Sequence, residues 1–174
     1  MVRFFAGVKL SQIGLYRWRE WSTTEKSYFI QVLLIANAIF SILFASRLKM
    51  IFADPSLRGR AGVVAVTYLL WGFYQEVIYR GILQSELVRR WGAWPGILVS
   101  NLLYTFGPLH FYHFSAASNP LLMFLGIFAI GLFFGVLFRR SGNLWIVGIF
   151  HGLGDCYITG LGTFVSSNSV IGVN

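Results

Sequence analysis

Charge is what this chain has least of. Charged residues make up 11% of its 174 positions, and six residues are acidic, where an ordinary soluble domain carries about 25% charged residues. A globule of this length needs more polar surface than that. A soluble enzyme, a disordered tail and a nucleic-acid-binding module are therefore excluded, despite the net charge of +8. The basic excess fits membrane topology and contact with anionic lipid instead, so membrane lipids are expected partners and nucleic acid is not. Cysteine is nearly absent. Cys156 stands alone, which excludes an internal disulfide and any cysteine-cluster metal site. Alternation of period two, internal repeats and low-complexity tracts are missing as well, which removes strands and solenoids.

What is present is apolar sequence: 56% of residues, with a mean hydropathy of +0.67. It falls into five runs, at residues 27–45, 61–88, 95–112, 119–138 and 143–165. A helix crosses the hydrocarbon layer with about 20 apolar residues, and lipid admits helices rather than open strands. The expected fold is all-α, a polytopic bundle of about five spans. Residues 1–26 differ, because Phe4, Phe5, Val8, Leu15, Trp18 and Trp21 mix with five basic residues. They read as an amphipathic segment lying at the membrane interface, ahead of a transmembrane domain at 27–174. The stretch 46–60, with Asp54-Pro55 as a turn signal, reads as the longest internal loop. Gly126, Gly131 and Gly135 include a small-xxx-small spacing that suits helix packing in lipid. With the N-terminus inside, nine Lys and Arg fall on the inner side and four on the outer. That favours a multi-pass protein of the cell membrane with a cytoplasmic N-terminus.

Few ionisable residues remain inside the spans: Glu76 and Arg80 in the second, His110 in the third, His151 and Asp155 in the fifth. Each costs at least about 2.5–3.5 kcal/mol to insert at the centre of a bilayer. Glu76 and Arg80, Phe106 and His110, and His151 and Asp155 are all spaced i, i+4, which puts each pair on one helix face. Counted at ~1.5 Å per residue, Glu76, His110, His151 and Asp155 fall in a slab about 11 Å thick. They are expected to line one polar cavity. Each has a plainer reading. Glu76 with Arg80 could be a structural ion pair, His110 an interhelical hydrogen-bond donor, and His151 with Asp155 a structural pair. His113 reads as solvated at the outer interface, and Trp91, Trp94, Tyr112 and Trp145 as interfacial aromatics.

Two carboxylates and two imidazoles around a buried point suit the activation of water. Burial makes a carboxylate a stronger base, an imidazole can shuttle the proton, and a second imidazole can donate to an oxyanion. The same residue types could hold a divalent metal such as zinc, with His110, His151 and Asp155 as candidate ligands. Residue types alone do not separate hydrolysis from metal-assisted hydrolysis.

Three short motifs carry a resemblance. Gln75-Glu76-Val77-Ile78-Tyr79-Arg80 resembles the Glu-Glu-x-x-x-Arg motif of the CAAX prenyl protease and bacteriocin-processing (Abi) family of intramembrane proteases. Phe106-Gly107-Pro108-Leu109-His110 resembles its Phe-x-x-x-His motif, and His151-Gly152-Leu153-Gly154-Asp155 its His-x-x-x-Asn/Asp motif. Ser141 to Trp145, before the last motif, is also typical. The resemblance covers residues 61–157, in the family's order. It implies an α-helical intramembrane endopeptidase. The first glutamate and first histidine would activate water, the last histidine and its partner would stabilise the oxyanion, and the second glutamate and the arginine would support them. Both zinc-dependent and metal-free mechanisms are consistent with it.

The sequence departs from the pattern at Gln75, because glutamine cannot act as a base at neutral pH. Glu76 could take that role; the chain could be an inactive relative with an immunity or scaffold role; or position 75 could carry an inactivating change. Asp155 also differs from an asparagine, since an ionised carboxylate donates no hydrogen bond. The sequence reading is an intramembrane endopeptidase acting on a membrane-anchored or lipid-tailed protein or peptide. Glu76, His110, His151 and Asp155 are its catalytic candidates, with Gln75, Arg80 and Phe106 in support. A proton-coupled transporter would also place such residues at midplane, but no broken-helix pair or repeat supports one.

Overall fold

The structure is a computed structural model that describes residues 9–108, 110, 114 and 117–160. Two turns of 3-10 helix, Leu10–Ile13 and Trp18–Glu20, precede α1 (Thr23–Leu43), α2 (Ala45–Ala53) and α3 (Pro55–Glu76). A π-helical stretch, Val77–Gln84, leads without a break into α4 (Ser85–Trp91). Then come α5 (Ala93–Thr105), α6 (Pro120–Ser141) and α7 (Leu144–Asp155), which ends in a second π turn, Cys156–Gly160. No strand occurs among the described residues, so the all-α reading holds.

Local chemistry sets the helix ends. Ser22 caps α1 in a capping box with Glu25, its hydroxyl accepting the Glu25 N–H at 3.1 Å. Asn119 accepts the Leu122 N–H at 3.0 Å, and Pro120 takes the first turn of α6, where a missing N–H costs nothing. Gly142 closes α6 at φ 63, after Arg139 and Arg140. A left-handed terminator that follows basic residues suits the negative end of a helix.

Two boundaries differ from expectation. The stretch at 46–60 is not a loop but α2 and the start of α3. Asp54 stands between them and accepts the Ser56 N–H at 2.8 Å and its hydroxyl at 2.7 Å. The turn signal is thus a cap joining two helices. Those same bonds hold the exposed Asp54 carboxyl below its ordinary pKa. The span count differs too. Thr23–Leu43, Pro55–Trp91 and Pro120–Ser141 are long and apolar enough to cross a membrane, whereas α5 has 13 residues and α7 has 12. The expected ends near Tyr112 and Val165, together with His113 and residues 1–8, lie outside the described residues.

The chain divides into two compact units. One comprises residues 1–17 and 75–147, the other residues 18–74 and 148–174. The first is polar inside. Glu76, Arg80, Ser100 and Thr105 are fully buried. Leu121, Leu122 and Phe133 on its α6 are 60–67% exposed, an inversion that suits lipid rather than water as the outer phase. Ile13 is buried in this unit, and the Gly14 carbonyl accepts the Leu144 N–H at 2.9 Å. In the second unit, α1 buries none of its residues. Its inner contacts are Phe29 against Phe150 and Phe40 stacked on Tyr157 at 5.1 Å. Tyr157 donates to Asn37 Oδ1 at 3.3 Å.

Candidate functional site

The polar interior of the first unit is built around Arg80. Its side chain and that of Glu76 are both completely buried, with Nε 3.3 Å from the carboxylate. Nη2 donates to the Gly131 carbonyl of α6 at 2.7 Å, and the guanidinium lies 4.1 Å from the Tyr104 ring centroid. Salt bridge, charged hydrogen bond and cation–π contact together offset the charge of a cation that lipid would not tolerate, although Nη1 has no hydrogen-bond partner among the described residues. One turn on, Gln84 Nε2 donates to the Gly135 carbonyl at 2.8 Å. Asn101 Nδ2 donates to the Phe128 carbonyl at 2.9 Å. Three polar side chains thus tie to α6 by its main chain. Gly131 makes this close approach feasible, since a Cβ there would strike Asn101 Oδ1 and the Tyr104 ring.

Tyr104 links this core to His110. The His110 Nδ1–H donates to the Tyr104 carbonyl at 2.8 Å, and the two rings meet edge to face at 4.4 Å. A carbonyl can only accept, so the neutral imidazole carries its proton on Nδ1 and keeps Nε2 as the acceptor nitrogen. His110 is 8% exposed. Phe106 does not share its face. It is 61% exposed, with its ring 5.2 Å from Phe124. The expected i, i+4 stripe fails because α5 ends at Thr105. Pro108 follows, which has no N–H to donate and biases Gly107 away from helical backbone.

Gln75 and Glu76 are both buried, at 3% and 0% exposure. Glu76 is committed to Arg80, whereas Gln75 Oε1 has no hydrogen-bond partner among the described residues. The π stretch begins one residue later, and its i→i+5 bonding shows in the Ser85 N–H that reaches the Arg80 carbonyl. Such turns recur at functional sites.

His151 and Asp155 belong to the second unit and form their own pair. Nε2 stands 3.6 Å from the carboxylate, and the side chains are 8% and 24% exposed. This is ion-pair distance rather than a hydrogen bond. In that unit α7 packs tightly on α3, because a Cβ on Gly152 would meet the Leu69 backbone.

For a metal, the test is whether three donors gather. Within neither unit do three His, Cys, Asp or Glu side chains come together among the described residues.

Residues 58–157 match the family described as Type II CAAX prenyl endopeptidase Rce1-like. The chain belongs to that family. The Rce1-like match contains all three motifs and the whole polar core from Gln75 to His110. Family membership and three helices of membrane-crossing length and composition make the chain an integral membrane protein. Comparisons with curated proteins and with solved structures return no match.

Sequence reasoning missed Tyr104, Gln84, Asn101 and the buried Asn143. For Gln84 and Asn101 a signal existed, namely uncharged polar residues inside apolar runs. For Tyr104 none did, because it acts on His110 through its main-chain carbonyl.

Proposed function

We propose that the chain is an intramembrane endopeptidase that hydrolyses a peptide bond in a membrane-anchored or lipid-tailed protein or peptide. The observation that carries this reading is the imidazole of His110, with its tautomer fixed by the Tyr104 carbonyl at 2.8 Å. Nε2 takes a proton from water as the oxygen attacks the peptide carbonyl carbon. The same proton passes to the leaving amine as the C–N bond breaks. Glu76, the preferred base on sequence grounds, has its carboxylate engaged by Arg80. Its role in this reading is to neutralise Arg80 and hold the core that carries Tyr104. Gln75 cannot remove a proton, but its amide can orient water or the substrate carbonyl. His151 with Asp155 takes the oxyanion role on the strength of its motif alone. The orientation proposed has the N-terminus on the cytoplasmic side, supported by the Lys and Arg distribution.

One observation favours a second reading. A neutral amide at 75, where the family motif has a carboxylate, suits a non-catalytic immunity or scaffold protein that keeps the fold. The deciding experiment is cleavage of a tail-anchored peptide library by the native chain, His110→Ala and Gln75→Glu, each with and without chelator. Loss of about 10²–10⁴ in rate in His110→Ala supports the first reading, and equal activity in that variant refutes the site. A silent native chain that gains activity as Gln75→Glu makes position 75 the base and the native chain inactive. Silence in all three supports the immunity or scaffold reading. Chelator sensitivity reversed by zinc would bring a metal into the mechanism.

A further inference from the structure

A cavity lies in the first unit, and nothing in the proteolytic reading uses it. Its volume is about 240 Å³, and its lining includes Gln12, Tyr16, Ser85, Val88 and Arg139. At ~30 Å³ per water it has room for about eight waters, or for a phosphate ester with part of its glycerol.

Its position is set by the helix ends. Ser85 and Val88 stand in the last part of the membrane-length run that ends at Trp91, and Arg139 in the last turn of the one that ends at Ser141. Exposed Trp91 and Trp94 stand beside the same ends. Trp145 donates its indole N–H to the Tyr16 carbonyl at 3.0 Å. Tryptophans gather at headgroup depth, so the cavity opens at that level rather than in the hydrocarbon.

The charge at this end is selective. Arg89 and Arg90 share the single carboxylate of Glu86, which offsets one of their two charges. Arg139 is exposed, lines the cavity and has no hydrogen-bond or ion-pair partner among the described residues. The nearby carbonyl of Phe138 is already taken by the Gly142 N–H at 2.8 Å, so it presents less lone-pair density to an anion. A guanidinium without an acceptor, with the Tyr16 phenol on the same wall, matches a phosphate oxygen set; the Ser85 hydroxyl is already donated to the Arg80 carbonyl at 3.2 Å.

We propose that this cavity binds the phosphate of an anionic phospholipid headgroup. The proposal does not rest on proteolytic activity: of the lining, Gly142 falls in the Ser141–Trp145 stretch and Gln84 in the polar core, and neither is altered in the test.

The test uses the full chain in neutral detergent micelles. Tryptophan fluorescence is titrated with dioleoyl phosphatidylglycerol, dioleoyl phosphatidylcholine or inorganic phosphate. The expected result is saturable binding of phosphatidylglycerol and at least fivefold weaker binding of phosphatidylcholine. Arg139→Gln should weaken phosphatidylglycerol roughly fivefold, the worth of about one basic contact at a membrane surface. Arg139→Lys should recover part of that loss. Arg140→Gln removes the same charge outside the cavity and should leave binding unchanged. Val88→Trp fills the cavity with all charges intact and should weaken binding at least as much as Arg139→Gln, so the proposal stays testable if one variant fails to fold. Equal weakening by Arg140→Gln would mean diffuse surface charge and would overturn it, as would equal binding of phosphatidylcholine. Inorganic phosphate binding as tightly as the lipid would replace the lipid assignment with a soluble anion.

Discussion

Removing Arg80 should cost this fold more than any change on its surface. Arg80 and Glu76 are both fully buried, 3.3 Å apart. Arg80→Ala therefore leaves a carboxylate with no counter-charge from that side chain, and takes a charged donor from the Gly131 carbonyl and a cation from the face of Tyr104. Breaking a buried pair on one side costs about 3–5 kcal/mol. At about 2–4 °C per kcal/mol for a chain of this size, the unfolding midpoint in detergent should fall by roughly 6–20 °C. The pair itself contributes much less than that, because desolvating two charges offsets their attraction. Glu76→Gln combined with Arg80→Met removes both charges at similar volume, and should recover more than half of the loss. The assay is thermal unfolding followed by near-ultraviolet circular dichroism for native, single and double variants in one detergent. A single variant within about 2 °C of native, or a double variant no better than the single, would show that water reaches the pair and would refute the reasoning.

The glycines of α6 give a paired contrast. Gly131→Ala drives a Cβ into Asn101 and Tyr104, whereas Gly126 has open space around it. The first should lose about 1–3 kcal/mol and the second should stay within about 0.5 kcal/mol, read as midpoints in the same assay. Ser22→Ala removes the hydroxyl that accepts the Glu25 N–H and should cost about 0.5–2 kcal/mol, seen as faster hydrogen exchange in the first turn of α1. Asp54 has its pKa lowered by bonds from Ser56. Its contribution is present above the ordinary carboxylate range and is lost as pH falls through the lowered value. Acid should therefore loosen the α2–α3 joint, and Asp54→Asn should abolish that pH dependence of amide exchange at Ser56.

The all-α architecture was legible because lipid leaves few choices: five apolar runs became helices in the expected order. Chain ends of helices were legible where side chains make the cap, as at Ser22 and Asn119. The joint at Asp54-Pro55 was misread because an aspartate before proline serves equally as a turn and as a cap. The charged core was partly legible. The i, i+4 rule found His151 with Asp155 within one α-helix, and Glu76 with Arg80 across a junction where α-helix passes into π-helix without a break. It failed for Phe106 and His110, because Gly107-Pro108 breaks the periodicity on which the rule depends. The π stretch after Glu76 left no trace in composition, since it changes hydrogen-bond partners and not residue types.

Position 75 is where stability and function should separate. Gln75 is 3% exposed, and its Oε1 lacks a hydrogen-bond partner among the described residues. A buried acceptor left unpaired costs about 1–3 kcal/mol. Gln75→Met keeps the length of the side chain and removes the polar group, so it should raise the unfolding midpoint by roughly 2–12 °C at about 2–4 °C per kcal/mol. Gln75→Glu should lower it, because an ionised carboxylate needs more solvation than an amide. A residue that destabilises the resting fold is expected where water or a substrate carbonyl is to be held. Gln75→Met should therefore gain stability and lose peptide cleavage or peptide binding together. A lower midpoint in Gln75→Met would mean that Oε1 is already bonded in the folded protein, and would return Gln75 to a structural role.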